Sequence, residues 1–113
     1  MTMRQSYTAT IEQNGAWEGA FATEPYEAAW AAEAVFFVRV LRAAGDPAGA
    51  WARVQLSPDG MHWCDEGASL HLPTLPGEVA FVRVAHFGGF LRLVGEVPEG
   101  AELRVMAYLA LKS

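Results

Sequence analysis

At 113 residues, with 52% hydrophobic and 19% charged side chains, the chain is one domain's worth of material with enough apolar surface to bury a core. That composition excludes disorder driven by low hydrophobicity. A net charge of -5 and a pI near 5.0 argue against general nucleic-acid binding, which draws on a net basic face, though they leave room for a local basic patch.

No stretch reaches the roughly 20 apolar residues of a spanning helix, and the longest apolar segment, 34–41, is interrupted by Arg39. No membrane association is therefore expected. The single cysteine, Cys64, has no intramolecular partner, which fits a reducing compartment. Arg4 is followed by no apolar run, so no secretory signal is read at residues 1–7. The expected location is the cytoplasm, or a particle or virion assembled there.

In chain order, residues 5–13 carry the β-branched run Tyr7-Thr8-Ala9-Thr10-Ile11, bounded by the turn dipeptide Asn14-Gly15. Residues 17–22 then read as the return strand of a hairpin. Residues 23–44 carry helix punctuation: Thr23 at an N-cap position, Pro25 and two glutamates early, Arg39 and Arg42 late, Gly45 beyond. Against this, Val35-Phe36-Phe37-Val38-Arg39-Val40 is dense in β-branched and aromatic residues, and its apolar positions would cover every side of a helix. A domain this small rarely surrounds a helix completely, so 35–41 is expected to be a strand and 24–33 strand or irregular.

Residues 49–56 alternate into Ser57-Pro58-Asp59-Gly60, a turn in which proline presets one dihedral and glycine accepts a positive φ. Residues 61–65 return from it, and 68–72 form a short strand ending at Pro73 and Pro76. Residues 78–86 and 90–96 are separated by Gly88-Gly89, and 101–111 follow Pro98-Glu99-Gly100. Turn signals recurring about every ten residues indicate one antiparallel β-sandwich over residues 1–113, jelly-roll-like, with about seven or eight strands.

Arg39, Arg53, Arg83, Arg92 and Arg104 each stand between apolar neighbours. In a strand, alternate side chains point to opposite faces, so each arginine points out while its neighbours fill the core. Most acids, including Asp46, Asp59, Asp65, Glu66, Glu78, Glu96 and Glu99, fall in or beside turns. Arginines gathered on one sheet need carboxylate partners from loops or from a second subunit. These five residues are the candidate interface, and face-to-edge association is the expected mode.

Nothing in the sequence marks a catalytic centre. Cys64, Ser57 and Ser69 are nucleophiles by type only, with no Gly-x-Ser-x-Gly elbow. His62, Cys64 and Asp65 fall short of the ligand set of a zinc site, and Gly88-Gly89 has neither the lysine nor the helix of a phosphate loop. No enzyme activity, metal or cofactor is expected. Trp17, Trp30, Trp51 and Trp63 fit either core filling or a sugar-stacking aromatic platform. Trp51 and Trp63 flank the 57–60 turn and are placed to pack across it.

The run Val54-Gln55-Leu56-Ser57-Pro58-Asp59-Gly60-Met61-His62-Trp63 resembles a hairpin of small β-sandwich proteins of phages and prophages, patterned as an apolar strand followed by Ser-x-Asp-Gly-x-x-Trp. The strand at 35–41, the Phe90-Leu91-Arg92-Leu93-Val94-Gly95 strand and the closing 100–111 segment extend the resemblance over residues 34–111. The Asp-box of sialidases is also similar, but its pattern has another residue between Asp and Gly. The phage resemblance implies a non-enzymatic structural role, with Ser57, Asp59, Gly60 and Trp63 forming a turn or contact loop. The expected function is a self-associating structural or accessory protein, a component of a virion, particle or shell. Its expected partner is itself or a larger assembly. The alternative is a small-ligand or carbohydrate-binding module built on the four tryptophans.

Overall fold

The computed structural model describes residues 5–113, so part of the N-terminal signal reading lies outside the described residues. Nine strands and no helix occur among those residues: β1 (Ser6–Trp17), β2 (Gly19–Ala22), β3 (Tyr26–Glu27), β4 (Glu33–Ala44), β5 (Trp51–Ser57), β6 (Cys64–His71), β7 (Val79–Ala85), β8 (Phe90–Val97) and β9 (Glu102–Lys112). They form two antiparallel sheets. The first has the order β1-β9-β4-β7; the second has the order β2-β8-β5-β6, with β3 also on β8. Because β2 and β3 pair with successive stretches of β8, they act as one interrupted edge, and the count of nine exceeds the expected seven or eight by that break.

One core lies between the sheets. In β9 the inward set Leu103, Val105, Ala107, Leu109 and Leu111 is buried, while Glu102, Arg104, Met106, Tyr108 and Ala110 alternate outward. In β4, Phe36, Val38 and Val40 are fully buried, with Val35, Phe37 and Arg39 on the other face. β4 sits between β9 and β7, so a central strand buries its apolar residues without encirclement. The helix punctuation before it is spent otherwise. Thr23 caps no helix: its amide donates to the Leu93 carbonyl at 2.9 Å, and its Oγ1 accepts from the Leu93 amide at 3.0 Å.

The expected hairpin at Asn14-Gly15 does not form. β1 runs on through the dipeptide, pairing with β9 on both sides of it, and β2 belongs to the other sheet. Asn14 takes φ 51°, and the positive-φ residue is absorbed as a bulge between Glu12 and Gly15. At Gly15 a Cβ would lie 2.5 Å from the Glu12 side chain, so glycine lets that side chain lie across the bulge. That carboxylate accepts from Trp17 Nε1 at 3.0 Å, satisfying the indole of a buried residue. The chain then changes sheets through Glu18 and Gly19, and the Trp17 and Phe21 rings stack at 4.0 Å across that corner. The two short strands expected at 61–65 and 68–72 are one strand, β6, interrupted by a bulge opposite the Arg53-to-Gln55 step.

Candidate functional site

The turn after β5 is built from its own side chains. Ser57 Oγ accepts from the Gly60 amide at 2.8 Å and the Asp59 amide at 3.2 Å. Asp59 Oδ1 accepts from the Ser57 hydroxyl and from the amides of Met61 and His62, at 2.8–2.9 Å. Its Oδ2 lies 2.6 Å from His62 Nδ1. The His62 amide, then the Met61 amide, then the His62 ring hold the Asp59 carboxyl far below the usual carboxylate range. Gly60 takes φ 79°, with its missing Cβ directed at the Phe90 ring. The turn is therefore folded back over the outer face of the second sheet.

The trio Ser57, Asp59 and His62 contains the residue types of a hydrolytic triad in the wrong order of contact. The carboxylate stands between hydroxyl and imidazole, whereas catalysis needs the imidazole between the other two. No hydrogen bond among the described residues joins His62 to Ser57, so nothing there withdraws the hydroxyl proton. Cys64 is exposed, with its Sγ 3.6 Å from the Leu56 carbonyl. No group of three His, Cys, Asp or Glu side chains disposed to hold a metal occurs among the described residues.

Beside the turn, the outer face of the second sheet carries a continuous polar chain. Arg53 Nε donates to Asp65 Oδ1 at 3.0 Å, and Gln55 Nε2 donates to the same oxygen at 2.9 Å. Gln55 Oε1 accepts from Arg92 Nε at 2.9 Å and from Arg92 Nη2 at 2.8 Å. The Gln55 amide is thereby fixed in orientation, since its NH₂ group cannot face a guanidinium. The Gln55 amide first, and then Arg53, lower the Asp65 carboxyl below its ordinary value against the opposing effect of desolvation. Each arginine also lies on a tryptophan: Arg92 is 4.1 Å from the Trp63 ring centroid and Arg53 is 5.0 Å from that of Trp51. The chain of two guanidinium groups and one carboxylate leaves a positive charge, carried by Arg92 on neutral partners.

The five arginines are divided between opposite faces. Arg53 and Arg92 occupy the second sheet, and Arg39, Arg83 and Arg104 the outer face of the first. No single stripe of five exists. Arg39 Nη2 reaches the Tyr108 hydroxyl at 3.4 Å, and Arg83 lies 5.1 Å from the Phe81 ring centroid. Arg104 Nη1 donates to the Asn14 carbonyl at 3.1 Å. Its Nε is 3.3 Å from Glu102 Oε1 yet makes no hydrogen bond, so that ion pair is one of proximity only.

The four tryptophans form no common platform. Trp17 is a core residue, 2% exposed, because the corner between the sheets needs a large ring to fill it. Trp30 is exposed in the segment between β3 and β4. Trp51 and Trp63 share the outer face of the second sheet but contact arginines rather than each other across the hairpin.

One feature escapes sequence reasoning, and a second carries a local signal. Gln55, which links Asp65 to Arg92, has no local signal because its partners are distant in sequence. The apolar outer face of the first sheet, with Val79 and Phe81 more than half exposed beside Phe37, was legible in the alternation Val79-Ala80-Phe81-Val82-Arg83. That alternation puts Phe81 and Arg83 on the same side.

No family model matches the chain, and no curated protein matches it. Among solved structures, the SPBc2 prophage-derived protein YomS is similar over 100% of this chain and 97% of its own, with a TM-score of 0.57 and 12% identity. FLHE aligns over 97% of this chain and 95% of its own, with a TM-score of 0.42 and 16% identity. The chain thus shares an all-β fold, from end to end, with a prophage-derived protein.

Proposed function

We propose that the chain is a non-enzymatic, self-associating structural or accessory protein, a component of a virion, particle or shell assembled in the cytoplasm. We also infer that its sandwich is a jelly roll, related to the small phage and prophage proteins whose Ser-x-Asp-Gly-x-x-Trp hairpin it resembles. The strand orders β1-β9-β4-β7 and β2/β3-β8-β5-β6 support the jelly roll, since each sheet interleaves strands from both ends of the chain.

One observation carries the functional reading. Arg53, Arg83 and Arg92 are each laid against an aromatic ring on an outer face. Arginine with tryptophan is the composition of interface hot spots, and stacking pre-orders the guanidinium before a partner arrives. The partner is a second copy or a neighbouring component offering carboxylates. The carbohydrate-binding alternative draws on Trp51 and Trp63 sharing a face. Against it, an arginine already occupies one side of each ring. Light scattering on the purified chain tests the choice. A discrete oligomer supports assembly; a monomer whose tryptophan emission shifts with glycans replaces it with the alternative.

A further inference from the structure

β7 ends the first sheet, and among the described residues no strand pairs with its outer side. The register identifies the groups left free. The Val40 amide donates to the Glu78 carbonyl at 3.0 Å, which makes this a hydrogen-bonded position of the β4–β7 ladder. Stepping by two, Ala80, Val82 and Val84 direct their backbone groups at Val38, Phe36 and Ala34. The amides and carbonyls of Val79, Phe81, Arg83 and Ala85 therefore point away from the sheet. Their side chains lie on its outer face, with Val79 56% and Phe81 51% exposed. Leu75, in the connection leading into β7, is 62% exposed. Natural edge strands are usually blunted by charge, proline or a bulge. This one has no proline and no bulge, and its one charged side chain lies on a ring.

We infer that the free edge of β7 docks a second copy of this chain, β7 against β7, antiparallel about a two-fold axis at Val82. The inference rests on the self-association reading and names its surface. An antiparallel self-pairing centred on Val82 sets Val79 opposite Ala85 of the second copy and Phe81 opposite Arg83 of the second copy. All four residues with free backbone groups then fall at hydrogen-bonded positions, each pair exchanging two bonds. Centring on Arg83 instead opposes two like charges, and centring on either Phe81 or Arg83 leaves part of the strand unpaired. In the Val82 register each Arg83 meets the partner's aromatic ring, repeating between copies the contact it already makes within one chain. A two-fold interface needs such self-complementarity, and the segment Val-Ala-Phe-Val-Arg-Val-Ala supplies it.

The test is sedimentation velocity of the full chain as wild type, as Phe81→Arg and as Phe81→Arg/Arg83→Phe, with circular dichroism to verify folding. Phe81 is half exposed on an outer face, so the single change leaves the core intact. It opposes arginines at two symmetry-related places and should weaken association by roughly tenfold or more. The double variant restores an arginine–aromatic pair in the Val82 register and should recover association. Failure of the double variant to recover overturns that pairing. A single variant that associates like wild type overturns the β7 edge while leaving self-association standing, and a wild-type monomer at every concentration overturns both.

Discussion

Arg92 donates from both Nε and Nη2 to the single amide oxygen of Gln55, at 2.9 and 2.8 Å. A guanidinium held this firmly by a neutral group, with Trp63 on one face, keeps its charge available to a carboxylate from outside. Gln55→Glu should satisfy that charge within the chain, while giving up the amide that donates to Asp65 Oδ1. The expected outcome is weaker self-association with a change in folding stability of about 1 kcal/mol or less. Parallel thermal melts and light scattering check it; association stronger than wild type would contradict it.

The 57–60 turn should be sensitive to its glycine. Gly60 takes φ 79°, and a β-branched side chain there is strained whatever the space around it. Gly60→Val is expected to destabilise by on the order of 1 kcal/mol or more. An unchanged denaturation midpoint would rule out this turn geometry.

Acid should loosen the same turn. The Asp59 carboxyl is held below its ordinary value, chiefly by the His62 and Met61 amides. A depressed folded value means the contribution is full above the ordinary carboxylate range, near 3.9, and is lost as pH falls below it toward the folded value. Asp59→Asn should therefore lower the melting temperature at neutral pH and flatten its fall below about pH 4. Equal acid slopes for the two proteins would show that Asp59 is not the group responsible.

Trp17 belongs to the core rather than to any binding platform. Trp17→Ala removes a fully packed ring and its stack on Phe21, for an expected cost of about 3–5 kcal/mol. By contrast, Cys64 is exposed, and Cys64→Ser should leave melting within about 0.5 kcal/mol of wild type. Chemical denaturation of the two variants side by side separates these outcomes.

Much of this architecture can be read along the chain, because period-two alternation is a local property. It pointed the five arginines outward, while the density of β-branched and aromatic residues at 35–41 identified that segment as a strand in spite of the helix punctuation around it. Asn14-Gly15 misled because a positive-φ dipeptide serves a bulge as well as a turn, and only pairing with β9 decides between them. Trp17 is indistinguishable from Trp51 by type, yet one fills the corner between sheets and the other lies under an arginine. The division of arginines between two faces and the Gln55 link depend on strand order, which no local pattern encodes.

Oligomer size for glutamine variants of Arg39, Arg53, Arg83, Arg92 and Arg104 across a salt series, with melting temperature recorded alongside, decides whether the arginines hold copies of the chain together. If these side chains bridge subunits, at least one change should weaken association by about 2–5 kcal/mol while folding changes little, with Arg92 foremost. Association of the wild type should also decline as salt rises, to the extent that the pairs stay accessible to ions. A 12.3 kDa monomer at every concentration, or an oligomer indifferent to all five changes, would contradict the account.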